Sequence, residues 1–345
     1  LANVAAVPLA TCAFTLAFLL IFLPYTVFHE AISWMIQGVL WISRQSYGML
    51  TIGHVPFLWV LLFYFMTGLW IWKKNGQNRH IRISLAYVIM IILIWIPMAR
   101  RKSLAFLDVG QGDCFVADTK SGAIIFDGGS SSEDQVGRYR ILPYMKYLGY
   151  QKIQIAVISH MDIDHYSGIK ELLEMGKIKY LGLPEIPKDE TMKKIIGIAK
   201  KRGTTIFYLS RGRQITTKDG SLKVLHPQKN SQMEKNAASL VMQGKILGYR
   251  VLLTGDVEKE GEEELLSEEL ERADILKAAH HGSKNSTSNE FLQKVQPKQT
   301  VISCGKQNRY GHPHLETIHR LQTYHTKIYR TDRSGAIIFF KRRDG

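Results

Sequence analysis

Two hydropathy regimes follow one another along the chain. Leu9 to Phe28 carries no charge, Phe57 to Trp72 is a second apolar run extensible upstream to Met49, and Ile83 to Met98 is a third. Runs of this kind approach the roughly 20 apolar residues that cross a bilayer, so a transmembrane helix is expected at each. The first run lacks a basic leader and a small-residue cleavage motif, which argues against a cleaved signal peptide. Between the first two, Ile32, Met35, Ile36, Val39, Leu40 and Ile42 recur at helical spacing with Trp34 and Trp41. That stripe predicts a helix lying at a membrane interface, with a tilted fourth span as the competing reading.

From Ser103 the pattern changes to short β-rich apolar runs separated by helical segments. Strands are expected at Leu104 to Val109, Cys114 to Asp118, Ala123 to Asp127, Ile155 to Ser159, Val251 to Thr254, Ile275 to Ala279 and Val301 to Ser303. This is an α/β pattern. Residues 1–102 therefore read as part of a polytopic membrane domain and residues 103–345 as a water-compatible domain large enough for a full core.

Charge sharpens that division. Of the formal +15, residues 1–102 hold eight basic side chains against one acid, Glu30, and the remainder holds 37 against 29. A downstream surplus of 8 is weak evidence for a polyanionic partner. Lys73, Lys74, Arg79 and Arg82 lie between the second and third runs, and the positive-inside rule would make that loop cytoplasmic and put the downstream domain outside the cell membrane. Arg100, Arg101 and Lys102 oppose this by a narrow margin. Cys12, Cys114 and Cys304 are too few and too scattered for a disulfide framework or a CxxC site.

The candidate chemistry sits where strands end. Asp127-Gly128-Gly129, Ser159-His160, Thr254-Gly255-Asp256 and Ala279-His280-His281 all place metal-type ligands after an apolar strand. The densest group is His160, Asp162, Asp164 and His165, four ligand types within six residues. A solvated acidic turn would not be fed by the apolar run Ile155-Ala156-Val157-Ile158, so a metal site is the better reading.

His160-Met161-Asp162-Ile163-Asp164-His165 resembles the metallo-β-lactamase signature His-x-His-x-Asp-His, with Asp162 at the second histidine. The resemblance implies an αββα sandwich over residues 103–345. It makes Asp256 a bridging aspartate and His280 or His281 the closing histidine. His280 is favoured, because side chains alternate in an extended strand end. Asn236 stands where another histidine is usual. Asp162 and Asn236 both shift the site toward oxygen donors, which favours Mn²⁺ over Zn²⁺, with Mg²⁺ also compatible.

Asp108-Val109-Gly110-Gln111-Gly112-Asp113, the His160 motif, His280-His281-Gly282-Ser283 and Gly311-His312-Pro313-His314, in that order, resemble the ComEC family of DNA-uptake channels. Membership implies the C-terminal portion of a multi-pass competence protein whose hydrolase domain degrades the non-transported DNA strand. The implied partners are single-stranded DNA, the membrane, other uptake proteins and the amino-terminal part of the same channel. The resemblance further implies that His160, Asp162 and Asp256 hold one divalent ion, and that Asp164, His165, Asp256 and one of the paired histidines hold a second. Asp162, Asp164, His165 and Asp256 are then the catalytic set.

Asp108, Asp113 and Asp127 would line or brace the site, or be ordinary turn residues. Ser283, Lys284, Asn308, Arg309 and Tyr310 suit phosphates and bases. His312 and His314 are candidates to orient substrate, while His226, His319 and His325 read as structural or surface residues. Two alternatives stay open: a transport scaffold with a weakened metal site, and a metallo-hydrolase of another substrate.

Overall fold

The computed structural model describes residues 29–44, 53–72, 84–85, 88, 101–268 and 270–342. The first expected span, Leu9 to Phe28, lies outside these residues. So do the basic loop from Lys73 to Arg82 and all of the third span except Ser84, Leu85 and Val88.

The chain divides into two compact units, residues 1–52 and 53–345. In the first, the residues of the Trp34–Trp41 stripe fall in helix α1 (His29–Arg44). The second begins with α2 (Phe57–Trp72), preceded by His54, whose backbone N–H donates to the Tyr147 carbonyl at 2.9 Å. At about 1.5 Å per residue, the 16 residues of α2 reach only about 24 Å, against a hydrocarbon core of about 30 Å. Among the described residues, no helix is long and apolar enough to cross a membrane.

The remaining elements alternate as the sequence pattern requires. They are β1 (Ser103–Phe106), β2 (Phe115–Thr119), β3 (Gly122–Phe126), α3 (Leu142–Tyr147), β4 (Ile153–Val157), α4 (Ile163–Glu174), β5 (Ile178–Pro184), α5 (Glu190–Lys201), β6 (Thr205–Leu209), β7 (Gln214–Thr217) and β8 (Gly220–His226). Then follow β9 (Val241–Ile246), β10 (Tyr249–Leu253), α6 (Lys259–Leu266), β11 (Ile275–Lys277), α7 (Asn289–Val295), β12 (Gln299–Ile302), α8 (Leu315–Thr323), β13 (Lys327–Arg330), α9 (Thr331–Ser334) and β14 (Ile337–Phe340).

Two seven-stranded sheets result, in the orders β14-β1-β2-β3-β4-β5-β6 and β13-β12-β11-β10-β9-β8-β7. In each, an antiparallel half joins a parallel half: β3 to β6 run parallel in one sheet and β10 to β13 in the other. Phe106, Phe126, Val157, Leu253, Ile275 and Val301 pack between the sheets. The outer face of the first sheet is covered by Met145, Ile169, Leu172, Met192 and Ile195 from α3, α4 and α5, and that of the second by Leu265, Phe291, Leu292 and Leu321 from α6, α7 and α8. The central strands are therefore buried on both sides, in four layers, αββα.

This layering aims the site. The carboxyl ends of β3, β4, β10 and β11 deliver Asp127, His160, Asp256 and the His280-His281 pair to one crevice between the sheets, as parallel sheets generally do. Phe106, 1% exposed, wedges between Phe115 and Phe339 at ring separations of 5.0 and 6.3 Å. Phe106→Ala is expected to destabilise the chain by about 3–5 kcal/mol, read as a shifted midpoint in chemical denaturation.

Candidate metal centre

Three imidazoles share one arrangement: each is anchored through Nδ1 and turns Nε2 inward. His165 Nδ1 lies 3.0 Å from Asp127 Oδ2, His281 Nδ1 is 2.9 Å from the Ser303 carbonyl, and His160 Nδ1 is 3.0 Å from Ser159 Oγ. The three Nε2 atoms are buried without a hydrogen-bond partner. Instead they face carboxylates. His165 Nε2 is 3.1 Å and His281 Nε2 3.3 Å from Asp256 Oδ2, His281 Nε2 is 3.5 Å from Asp164 Oδ2, and His160 Nε2 is 3.4 Å from Asp162 Oδ2. Fixing one ring nitrogen so that the other is free and aimed is how a protein prepares an imidazole for a metal ion.

Asp113, His165, Asp256 and His281 each bring a ligand atom within 4.8 Å of the others, and all four are buried. These donors fit a divalent cation. Asp127 does not join them; it accepts from the Ser159 backbone N–H at 2.7 Å and steadies His165. Asp113 enters through a turn that only glycine permits, since a Cβ on Gly112 would sit 2.2 Å from the Gly129 carbonyl oxygen. The Asp113 N–H then donates to the Asp164 carbonyl at 3.0 Å, tying this turn to the start of α4.

Of the paired histidines, His281 stands in the cluster and not the favoured His280. The alternation argument required extended backbone, whereas both residues are left-handed, with φ of 47° and 51°, inside a tight turn. His280 is partly exposed, with Nδ1 2.9 Å from Glu258 Oε1 and Nε2 3.8 Å from Asp256 Oδ2.

Asp256 and His281 of the cluster line a cavity of about 320 Å³ whose walls also include Gln111, Asp162, Asp164, His280, Tyr310 and His312. Asp162 is paired with Lys235. The Tyr310 and His312 rings stack at 5.7 Å. Asn236 lies elsewhere, in a separate depression with Glu234, Lys235, Glu258 and Lys259. Asp108 closes its own turn by accepting from the Gly110 N–H at 3.1 Å. Ser283 Oγ accepts from the Asn285 N–H at 3.3 Å, and Lys284 points to solvent with its backbone N–H on His314 Nδ1. None of these four reaches the cavity wall.

Electrostatics follow from packing acids and bases together out of water. Burial alone would lower His165 and His281, but Asp256 with Asp127, and Asp256 with Asp113, hold them well above the ordinary imidazole range. Burial would likewise raise Asp113, Asp256 and Asp164. Lys277, His281 and His165 hold Asp113 down, His165, His281 and Lys277 do so for Asp256, and His281 with His165 for Asp164. Asp162 is lowered by His160 and Lys235. Burial and the neighbouring His281, His280 and His314 push His312 down to about 4.

Two members went unrecognised in the sequence: Asp113 as part of the cluster, and Lys277. The signal for Lys277 was a lysine in the middle of an apolar run, Ile275-Leu276-Lys277-Ala278-Ala279.

Comparison with known proteins places these features in context. Residues 107–306 match the Metallo-beta-lactamase superfamily. ComE operon protein 3 of Bacillus subtilis (strain 168) is 34% identical over 79% of this chain and 38% of its own length. Competence protein ComA of Neisseria gonorrhoeae is 30% identical over 69% of this chain and 32% of its own. Recombination protein 2 of Haemophilus influenzae is 27% identical over 76% and 32%. The chain thus spans about a third of the length of these curated relatives.

Metal uptake by this centre is expected to release protons, because the neighbouring carboxylates hold His165 and His281 above the ordinary imidazole range while a ligand imidazole must be neutral. Calorimetric Mn²⁺ titration at pH 7 in buffers of differing ionisation enthalpy is expected to register proton release, and the affinity is expected to fall as pH falls. In the same titration, His281→Ala is expected to weaken binding on the order of a hundredfold or more. His280→Ala is expected to weaken it less than about tenfold.

Proposed function

Because the chain belongs to the metallo-beta-lactamase superfamily, we propose that its αββα domain is a divalent-metal-dependent phosphodiesterase that degrades DNA during competence-associated uptake. The observation that carries this reading is the buried quartet Asp113, His165, Asp256 and His281, of which Asp256 and His281 open onto a polar cavity. Relatives named for competence and recombination, together with the ComEC-like motif order, supply the biological setting. A multi-pass membrane protein with this domain on the extracytoplasmic side is the corresponding localisation, and the strand degraded is the one not transported.

In this proposal His160, Asp162 and Asp256 hold one ion, and Asp164, His165, Asp256 and His281 hold the other. Two divalent ions, when bound, lower the pKa of a water and neutralise charge building on a phosphodiester. Asp162 in place of an imidazole makes the donor set harder, which favours Mn²⁺. The chain's own residues bind and orient the substrate. Tyr310 offers an aromatic face for a base, and Arg309, whose guanidinium lies 4.9 Å from the Tyr310 ring centroid, offers a charge for a phosphate. His312, neutral above about pH 4 and with Nδ1 unpartnered, adds a hydrogen-bonding group to the wall without adding charge.

End-labelled single- and double-stranded DNA incubated with the purified chain and Mn²⁺, Mg²⁺, Zn²⁺ or EDTA tests the proposal. Metal-dependent degradation is expected, fastest with Mn²⁺ and on single strands, and Asp256→Asn is expected to slow it on the order of a hundredfold or more. Intact DNA with a folded, metal-loaded chain would sink the nuclease reading. Salt-sensitive DNA binding without cleavage would then support a transport scaffold. Failure to bind DNA would point to another substrate.

A further inference from the structure

Lys277 ends β11, which is hydrogen-bonded on one side to β10 and on the other to β12. Its side chain is buried, and its ammonium meets Asp113 Oδ2, the Gly255 carbonyl at 2.9 Å and Asp256 Oδ1 at 3.4 Å. The contact divides both carboxylates. Asp256 gives Oδ1 to the lysine and turns Oδ2 toward His165, His281 and His280 at 3.1, 3.3 and 3.8 Å. Asp113 gives Oδ2 to the lysine and leaves Oδ1 3.5 Å from His281 Nδ1, a nitrogen already engaged with Ser303. A buried ammonium is costly without anions beside it, and here two carboxylates supply them.

We infer that Lys277 is a resident cation of the centre: it occupies one oxygen of Asp113 and one of Asp256, leaves each carboxylate its other oxygen to offer, and weakens their pull on divalent ions. The inference rests on reading the quartet as a divalent-ion site. A fixed positive charge on the same carboxylate as an incoming dication opposes that dication through a low-dielectric path. Lys277 is thus a positioning residue whose effect is felt in ion affinity, and a purely structural lysine would leave that affinity unchanged or reduce it.

The test uses the whole chain, stripped of metal, with Mn²⁺ as the probe in calorimetric titration and thermal unfolding followed with and without the ion. Lys277→Met is expected to lower the Tm of the metal-free protein while tightening Mn²⁺ binding on the order of tenfold or more, so that Mn²⁺ raises its Tm further than it raises that of the wild type. Lys277→Arg is expected to keep wild-type affinity. The double variant Asp113→Asn with Lys277→Met is expected to recover both metal-free Tm and wild-type affinity. Unchanged or weaker Mn²⁺ binding by folded Lys277→Met overturns the inference. If that variant does not fold, Asp113→Asn decides: its unopposed ammonium must weaken Mn²⁺ binding, and wild-type affinity there overturns the inference equally. A wild-type chain that binds no Mn²⁺, Mg²⁺ or Zn²⁺ overturns the metal-centre reading and this inference with it, whereas ion binding without DNA cleavage overturns only the nuclease reading.

Discussion

Asp113, Asp127 and Asp256 are each at most 5% exposed and open onto one crevice between two sheets. Removing a single carboxylate from water costs several kcal/mol after relaxation, and three together repel one another. What makes the arrangement stable is that each anion is met at short range. Asp127 has the Ser159 N–H and His165, Asp256 has His165, His281 and Lys277, and Asp113 has Lys277. The rest of the domain exists around this requirement, because a side chain can be held within a few tenths of an ångström of a buried partner only if the backbone beneath it is fixed.

The sandwich meets that requirement by using strand ends. β3, β4, β10 and β11 are buried on both faces, so their register is set by apolar packing, and the first residues beyond them inherit that precision. The glycine turn at Gly110-Gln111-Gly112 then brings Asp113 in between Gly129 and Asp164, where no larger residue than glycine leaves room at position 112. Asp127 and His281 both have positive φ, and that backbone helps to turn their side chains inward.

How much of this could be read from the chain depended on the range of the interaction involved. The strands before Asp127, His160, Asp256 and His281 were legible because each is an apolar run closed by ligand-type residues, and α4 was announced by the motif that opens it. The choice between His280 and His281 was not, because it turns on left-handed backbone that periodicity does not encode. Asp113 was assigned a bracing role since nothing local distinguishes an aspartate that ends a glycine turn from one that reaches across a crevice. Lys277 meets Asp113 across 164 positions of sequence, and only the folded sheets bring them together. Asn236 was aligned by position with a missing ligand, yet the loop before β9 carries it to a different depression. Along the first hundred residues hydropathy predicted α1 and α2 as helices.

The two halves of the centre are therefore unequal, and the inequality follows from what surrounds each. Asp164, His165, Asp256 and His281 converge from α4, β10 and the turn after β11, with three of the four fully buried, so their donors have little freedom to rearrange. Asp162 is about a third exposed, paired with a lysine that is itself half in solvent, and faces only His160 from within. Exchange of an imidazole for a carboxylate at position 162 thus changes more than ligand hardness: it lets a mobile cation from outside compete for that ligand. Lys277 does the same for Asp113 and Asp256 from inside the fold. A centre with five carboxylates and three inward-facing imidazoles would, uncompensated, bind cations indiscriminately. Placing one ammonium at its rim and another at its base moderates that charge without removing a single donor from the crevice.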